Sequence, residues 1–181
     1  EWFPRPENIR YRHAIAEMDE AIYSLIQHKR NSGKETEDLL SMLMHARDEE
    51  TGQQMNDKQL RDEVATLMLA GHETTANALS WTWMLLSEHP HVRSKLHSEL
   101  DRVLAGRSPT VEDIPQLRYT DMVIKESMRL YPPVSIFGRE AARDCTIGEY
   151  EVPEGCLIQI SQWVMHRHPR YFENPLGFQP E

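Results

Sequence analysis

The sequence predicts a mainly α-helical protein that carries a small β-sheet near its C-terminal end. Up to about residue 130, apolar side chains recur every three or four positions, which is the spacing of one helix face. Pro132 and Pro133 end the last of these helices, because proline removes a backbone donor. After them come short runs that are typical of β-strands, separated by turn residues. With 181 residues, we expect a single domain over residues 1–181.

Composition argues against several classes of protein. The formal net charge of -9 is unlike that of a nucleic-acid binder, which needs a basic face. No charge-free apolar run reaches the ~20 residues that a membrane span requires, and the first six residues lack the apolar core of a secretory signal. Cys145 and Cys156 form no disulfide framework and suit a reducing compartment, so we expect a cytoplasmic location. Because the chain lacks an initial Met and stops at Glu181, we expect a longer protein that is truncated here at both ends.

Five helices are predicted in order along the chain. Pro4 and Pro6 predict an extended lead-in, and Gly33 predicts the end of the first helix. Asn56 and Gln59 have the spacing of a capping box, which predicts the start of the third and longest helix. The apolar spacing places the helices at residues 8–31, 37–47, 57–87, 90–104 and 119–130.

The C-terminal part of the chain predicts strands and turns. Strands are predicted at residues 134–139 and 156–161, and residues 146–155 predict a strand, a turn and the start of another strand. Cys156 is expected to be a core residue of its strand. Loops or turns are predicted at residues 48–52, 111–114, 166–169 and 174–175.

The centre of the third helix departs from the pattern of the rest of the helix. Its apolar stripe steps by three or four residues and puts Gly71 and Thr74 on the same side as core residues such as Leu67. Glycine costs ~1 kcal/mol relative to alanine inside a helix, and a buried acid such as Glu73 is costly without a partner. Such departures mark functional sites in many proteins. The alternative is a packing notch between helices, with His72 and Glu73 on the solvent side.

This centre suits the binding of a flat or small ligand. Gly71 lets a ligand approach the backbone, Thr74 can hold a water or bend the helix, and Glu73 can act as a proton source. A zinc hydrolase site is a competing hypothesis, because His72 and Glu73 begin an H-E-x-x-H pattern. Ala76 stands where the second histidine ligand is needed, so the sequence argues against zinc.

Two charged features lie further along the chain. Glu126 and Arg129 are spaced i,i+3 on the fifth helix and can therefore pair. An exposed pair of this kind contributes little, whereas the value of a buried pair depends on further hydrogen bonds. Arg139 ends a strand and suggests an anionic partner such as a carboxylate. The alternatives are a surface ion pair and a rim arginine.

Together these segments resemble the cytochrome P-450 superfamily, the haem-thiolate monooxygenases. Residues 70–75, Ala-Gly-His-Glu-Thr-Thr, resemble the central I-helix motif (A/G)-G-x-(D/E)-T-(T/S). Residues 126–133 resemble the K-helix E-x-x-R motif and its Pro-Pro continuation. The resemblance covers nearly the whole chain and implies a partial cytochrome P-450 fold. That part would run from the end of the G helix through the I, J and K helices to the strands before the meander.

The resemblance implies a role for the residues at the helix centre. Thr74 would hydrogen-bond the oxygen that is being activated, or its water, and Glu73 would belong to the proton-delivery route. Ala70 and Gly71 would lie against the haem and leave room for dioxygen. Arg139 would pair with a haem propionate, which is a charge-assisted contact.

The resemblance also implies structural residues, ligands and partners. Glu126 and Arg129 would be structural, and the substrate side would be lined by Leu67, Val134, Ile136 and Phe137. The cofactor would be haem b, with dioxygen as co-substrate and a small organic molecule as substrate. Electrons would come from an electron-donor protein or a fused reductase domain, and no nucleic acid is expected to bind.

Neither cysteine of this chain fits the family's iron ligand. Arg143 and Cys145 match part of the haem loop, but Ala141 and Ile147 stand where glycines are needed. We therefore expect the axial cysteine outside this chain and no metal ligand within it. The resemblance predicts part of a haem-dependent monooxygenase, inactive as this fragment alone. The alternative is a non-catalytic helical interaction module that binds no haem.

Overall fold

The computed structural model describes residues 5–33 and 36–181. Within these residues the chain is mainly helical with a small amount of sheet, which confirms the predicted fold class. The helices are α1 (Pro6–Ser32), α2 (Leu39–His45), α3 (Asp57–Glu88), α4 (Pro90–Leu104), a 3₁₀-helix (Val111–Gln116), α5 (Arg118–Leu130) and α6 (Gln162–Met165). The strands are β1 (Ile136–Glu140), β2 (Cys145–Ile147), β3 (Tyr150–Val152) and β4 (Leu157–Ser161). In these parts of the chain, no helix combines the length and apolar character that a membrane span requires.

The boundaries of the long helices follow local signals in the sequence. The predicted capping box of α3 is present: Asn56 Oδ1 accepts the Gln59 N–H at 2.9 Å, and Gln59 Oε1 accepts the Asn56 N–H at 3.0 Å. Gly33 ends α1 with a left-handed φ of 58°. The predicted extended lead-in is wrong at Pro6, which begins α1 because proline suits the first helical position. Pro4 lies outside the described residues.

Short elements differ more from the prediction. α2 begins at Leu39 because the Asp38 carboxylate caps it, accepting the Ser41 N–H at 2.8 Å. β1 begins two residues later than predicted. α6 is absent from the prediction, since its four residues are too few to show a helical period. Its start is marked only by Ser161, whose hydroxyl accepts the Val164 N–H at 3.4 Å.

The chain forms two compact units, of which the N-terminal one comprises Glu1–His72. In its described part, Ile22 and Ile26 of α1 form a buried cluster with Leu60 and Ala65 of α3. The two isoleucines are each 1% exposed and lie one helical turn apart, so they face the same side. This apolar contact holds α1 against the first half of α3.

The C-terminal unit comprises Glu73–Glu181. One buried apolar cluster joins the second half of α3 to α4, α5 and the end of the chain. Its buried members are Leu85, Leu86, Val92, Leu96, Val123, Leu130 and Phe178. Phe178 follows the last turns of the chain, and its ring centroid lies 5.1 Å from that of His89. The cluster therefore fixes the three helices around a common core and holds residues near Phe178 against them.

The strands form two separate two-stranded antiparallel sheets. β1 pairs with β4, with Phe137 opposite Ile160. β2 and β3 form a hairpin around Gly148, which has a left-handed φ of 62° that glycine adopts without strain. The expectation that Cys156 is a core strand residue is wrong, because Cys156 precedes β4 and is exposed.

Candidate functional site

The centre of α3 is regular helix through the whole Gly-His-Glu-Thr-Thr segment. Gly71 is exposed, and a Cβ added to it would meet no atom within 4 Å. The described chain therefore does not itself require glycine there, which leaves the helix backbone open to a close ligand. Leu67 is 41% exposed, so the expectation that it faces the core is wrong. The buried cluster of this unit reaches along α3 only to Ala65.

A cavity of about 1050 Å³ lies in the C-terminal unit beside the second half of α3. Its volume is at the upper end of the ~300–1,000 Å³ that small-molecule sites occupy. α3 contributes Thr74, Thr75, Ala78 and Leu79 to the wall. The rest of the wall, which is mostly apolar, consists of Met122, Ile124, Lys125, Glu126, Met128, Arg129, Pro132, Pro133, Val134, Gln162, His166, Phe172 and Pro180. The cavity thus joins the α3 motif to α5 and to the segment that follows α5.

Several predicted site residues meet at this cavity, although they are far apart in sequence. Those in its wall are Thr74, Glu126, Arg129 and Val134. Thr74 is half-buried, whereas the adjacent Glu73 is exposed and lies outside the wall. The wall also leaves out Ile136, Phe137 and Arg139.

Arg139 lies on β1, on the same strand face as Phe137. Its guanidinium carbon is 5.2 Å from the centroid of the Phe137 ring, and one N–H donates to the Gly138 carbonyl at 2.8 Å. The side chain is exposed. Among residues 5–33 and 36–181 it makes no ion pair with a carboxylate, so it is available to an anionic ligand.

Glu126 and Arg129 form a buried clamp rather than a surface pair. The Arg129 Nε–H and one Nη2–H donate to the two oxygens of Glu126 at 2.7 and 2.8 Å. The remaining N–H groups donate to the carbonyl oxygens of His166, Pro175 and Gly177, each at 2.8 Å. All five guanidinium donors are therefore used, and they tie α5 to the loop after α6.

The clamp continues through Glu126 and through the ring of Phe172. Glu126 Oε1 also accepts the Gln179 N–H at 3.0 Å. The Arg129 guanidinium carbon lies 4.8 Å from the centroid of Phe172, which is a favourable cation–π distance. Arg129 is only 8% exposed, so these contacts replace nearly all its water. The clamp thus shapes one wall of the cavity.

Two polar contacts of α5 have no counterpart in the sequence interpretation. The hydroxyl oxygens of Thr82 on α3 and Ser127 on α5 are 2.9 Å apart in the buried core. Glu99 of α4 accepts the N–H groups of Tyr119 and Thr120 and the Thr120 hydroxyl, each at 2.8 Å. The sequence hints at a cap from elsewhere only because α5 begins without a capping side chain of its own. Nothing in the sequence identifies Glu99 as the residue that supplies it.

Glu99 acts as an N-cap that α4 supplies to α5. Burial by itself would raise the pKa of this carboxyl. The two backbone N–H donors and the Thr120 hydroxyl outweigh that effect, so the pKa of Glu99 lies below its ordinary value. The carboxylate is thus ionised at neutral pH at the positive end of the α5 dipole, where a negative charge is stabilising.

The residues around the cavity suit an apolar cofactor better than a bare metal ion. In the parts of the chain that the structure describes, no group of three or more His, Cys, Asp or Glu side chains could hold a metal. Cys145 and Cys156 are exposed, and neither lines the cavity. A mostly apolar wall, together with the exposed cation Arg139 of the same compact unit, fits a large flat cofactor that carries carboxylates, as haem does.

Comparison with known proteins extends this picture. The family described as cytochrome P-450 matches residues 1–181. Cyclooctat-9-en-7-ol 5-monooxygenase of Streptomyces melanosporofaciens is 42% identical over 181 residues, which are 100% of this chain and 39% of that protein. Pentalenene oxygenase of Streptomyces avermitilis is 38% identical over 178 residues, 98% of this chain and 39% of that protein. Human cytochrome P-450 4V2 is 43% identical over 144 residues, 78% of this chain and 27% of that protein.

These matches cover the chain from end to end but not the relatives. The chain spans about two-fifths of the length of the bacterial relatives, since it covers 39% of each. The family match includes the α3 motif, the Glu126–Arg129 clamp and the cavity between them. The chain therefore belongs to the cytochrome P-450 family.

Proposed function

We propose that this chain is part of a haem-dependent monooxygenase, which inserts one atom of dioxygen into a small organic substrate. The observation that carries the proposal is that Thr74 and Val134 line one mostly apolar cavity of about 1050 Å³. A hydroxyl at the edge of an apolar cavity can direct a proton without admitting bulk water. That combination suits the activation of dioxygen next to an apolar substrate.

Haem binding is part of the proposal. The open space at Gly71 would let the porphyrin face approach α3 beside Ala70, and Arg139 would bind a propionate through its guanidinium. When bound, haem with an axial thiolate supplies the chemistry that activates dioxygen. The cysteine that provides this thiolate would lie outside this chain, because Cys145 and Cys156 are both absent from the cavity wall.

Thr74 and Glu73 would divide the handling of protons between them. Thr74 is half-buried in the cavity wall, so its hydroxyl would hold a water or donate a hydrogen bond at the oxygen-binding position. Glu73 is exposed and lies next to Thr74 in the helix, so its carboxyl is accessible from solvent. A route from solvent through Glu73 to Thr74 would then supply protons to the reaction.

The substrate would be a predominantly apolar small molecule. The cavity wall is mostly apolar, with methionine, proline and leucine side chains. Two relatives are named for reactions on cyclooctat-9-en-7-ol and pentalenene, an unsaturated alcohol and an alkene by their names. Val134 would contact the substrate, and Leu67, Ile136 and Phe137 would belong to the same side. Electrons would come from a donor protein or a fused reductase domain.

The experiment compares the full-length protein with a Thr74→Ala variant and with Thr66→Ala as a control. Thr66 is an exposed α3 threonine whose hydroxyl donates to the Asp62 carbonyl at 2.8 Å. With a reductant and an apolar unsaturated substrate, the wild type and the control should couple dioxygen consumption to oxygenated product. Thr74→Ala should keep consuming dioxygen but form much less product. A wild-type protein that binds no haem would instead identify a non-catalytic helical module.

A further inference from the structure

A buried pair of hydroxyl groups links α3 to α5 in the C-terminal unit. Thr82 is 7% exposed and Ser127 is 0% exposed, and their hydroxyl oxygens are 2.9 Å apart. The Thr82 hydroxyl also lies 2.8 Å from the Ala78 carbonyl oxygen, one turn earlier on α3. The Thr82 hydroxyl donates to the Ser127 oxygen, and because threonine has a single hydroxyl hydrogen, the Ala78 carbonyl oxygen is its second, competing acceptor. The Thr82 hydroxyl thus lies within hydrogen-bond distance of both α5 and the α3 backbone.

The Thr82 contact on α3 is made to Ala78, a residue of the cavity wall. Ala78 lines the cavity, and Thr74 lies one turn before it on the same helix. The distance from Thr74 to Thr82 along the axis is about 12 Å, at ~1.5 Å per residue. A rotation of α3 about its own axis would therefore move Thr74 relative to the cavity and break the Thr82–Ser127 contact at the same time.

Next to the Thr82–Ser127 pair, an aromatic contact also joins α3 to the residue that follows α5. The rings of Trp81 and Tyr131 are stacked, with centroids 4.3 Å apart and planes 9° from parallel. Stacked rings can slide over each other at little cost, whereas a hydroxyl pair holds only over a narrow range of distance and angle. Two hydroxyls in an apolar core are costly unless they bond to each other, and their bond therefore favours one register of the two helices.

We propose that Thr82 and Ser127 are positioning residues for the Thr74 hydroxyl, which rests on the function proposed above for Thr74. The Ser127 side chain anchors α3 to the helix that carries the Glu126–Arg129 clamp. The Thr82 hydroxyl contacts both Ser127 and the Ala78 carbonyl oxygen. Its position would therefore fix the rotation of the helix turn that holds Thr74. The pair contacts neither substrate nor cofactor, and it acts only through Thr74.

The test uses the full-length, haem-loaded protein with the variants Thr82→Val, Ser127→Ala and their combination. Ser80→Ala is the matched control, because the exposed Ser80 hydroxyl donates to the Ala76 carbonyl at 2.8 Å but is not paired with α5. The readouts are product formed per dioxygen consumed, the substrate-induced change in the haem absorbance spectrum, and the free energy of unfolding. Thr82→Ser, which keeps the hydroxyl, provides the rescue.

Each single variant should lower the product formed per dioxygen by about threefold or more, since misplacement on the ångström scale is costly to a reacting geometry. The double variant should lose no more than the worse single variant, in product yield and in unfolding free energy, because one link is removed in each case. Ser80→Ala and Thr82→Ser should keep the wild-type yield. Ser127→Ala removes only one oxygen atom, so it keeps the test decisive if Thr82→Val fails to fold.

Two results would overturn the inference, and they are distinguishable. If the wild type forms product and both single variants keep its yield while losing stability, the pair has only a structural role. If the wild type forms no product, the function proposed for Thr74 fails and the positioning role fails with it.

Discussion

Replacing Arg129 by methionine should destabilise the protein more than any surface change on the same helix. The substitution keeps most of the side-chain volume but removes all five donors of the clamp. The Glu126 carboxylate, 13% exposed in its side chain, would then keep only the Gln179 N–H. The carbonyl groups of His166, Pro175 and Gly177 would lose their Arg129 donors as well.

The expected loss of unfolding free energy in Arg129→Met follows from the burial of the Glu126–Arg129 pair. Removing one partner of a buried, hydrogen-bonded ion pair costs about 3–5 kcal/mol, because the other charge is left uncompensated. At 1.4 kcal/mol per factor of ten, this is a change of roughly 100-fold to 4,000-fold in the folding equilibrium. The free energy of unfolding of a single domain is only about 5–15 kcal/mol in total, so the variant should lose about a fifth of it or more.

The assay is urea unfolding of the purified protein at neutral pH, followed by tryptophan fluorescence. Trp81 and Trp163 belong to the same compact unit as the clamp, so their emission reports on its unfolding. Lys125→Ala is the matched control, because Lys125 forms an exposed pair with Asp121 on the same helix at 2.6 Å. Surface pairs of this kind contribute about 0–1 kcal/mol.

The stability of Arg129→Lys should lie between those of Arg129→Met and Lys125→Ala. Lysine keeps the charge but offers a compact ammonium with three donors instead of the planar guanidinium. An Arg129→Met variant that unfolds at the same urea concentration as Lys125→Ala would refute the clamp as a main source of stability. Equal losses for Arg129→Lys and Arg129→Met would instead show that the fork geometry carries the whole effect.

Three further predictions follow from the same contacts. Glu99→Gln should cost about 1 kcal/mol of unfolding free energy at neutral pH through loss of the charged cap. Because the pKa of Glu99 is lowered by folding, its contribution is present above the ordinary value of 4.5 and is lost as the pH falls through the folded pKa. The difference between variant and wild type should therefore shrink in acid unfolding curves, and a difference that grows would contradict the cap. Gly71→Ala should stabilise the 181-residue chain by about 0.5–1 kcal/mol, since a Cβ there meets nothing within 4 Å, yet should lower haem content in the full-length protein. The purified 181-residue chain should not retain haem in gel filtration, and stoichiometric retention would show that an iron ligand lies within it.

Local signals predicted the long helices well. α4 begins and ends where Pro90 and the apolar spacing place it. The start of α3 follows from Asn56 and Gln59, whose side chains need only neighbouring backbone to act. Each of these boundaries depends on residues within one turn, so the sequence alone contains the information.

Contacts between distant segments were beyond the sequence interpretation. Thr82 and Ser127 are ordinary polar residues on their own helices, and only the packing of α3 on α5 makes them a buried pair. The same holds for Glu99, which looks like one more surface acid of α4 until it caps α5. Their roles depend on tertiary structure, which no local pattern encodes.

The exposure of individual residues also depended on tertiary structure. Leu67 has the helical spacing of a core residue, yet the buried cluster of its unit reaches along α3 only to Ala65. Cys156 has apolar neighbours, yet it precedes β4 and is exposed. The pairing of Glu126 with Arg129 was expected from its i,i+3 spacing, whereas its burial and three carbonyl partners became evident only in the structure.

The carbon monoxide difference spectrum of the reduced full-length protein tests the central claim most directly. The wild type and a Cys145→Ser, Cys156→Ser double variant are compared, because both cysteines lie outside the cavity wall. We predict the red-shifted absorbance band of a thiolate-ligated haem in both proteins, with equal intensity per haem. Absence of that band from the wild type, or its loss from the double variant, would contradict a haem site built on α3 with its thiolate supplied from outside this chain.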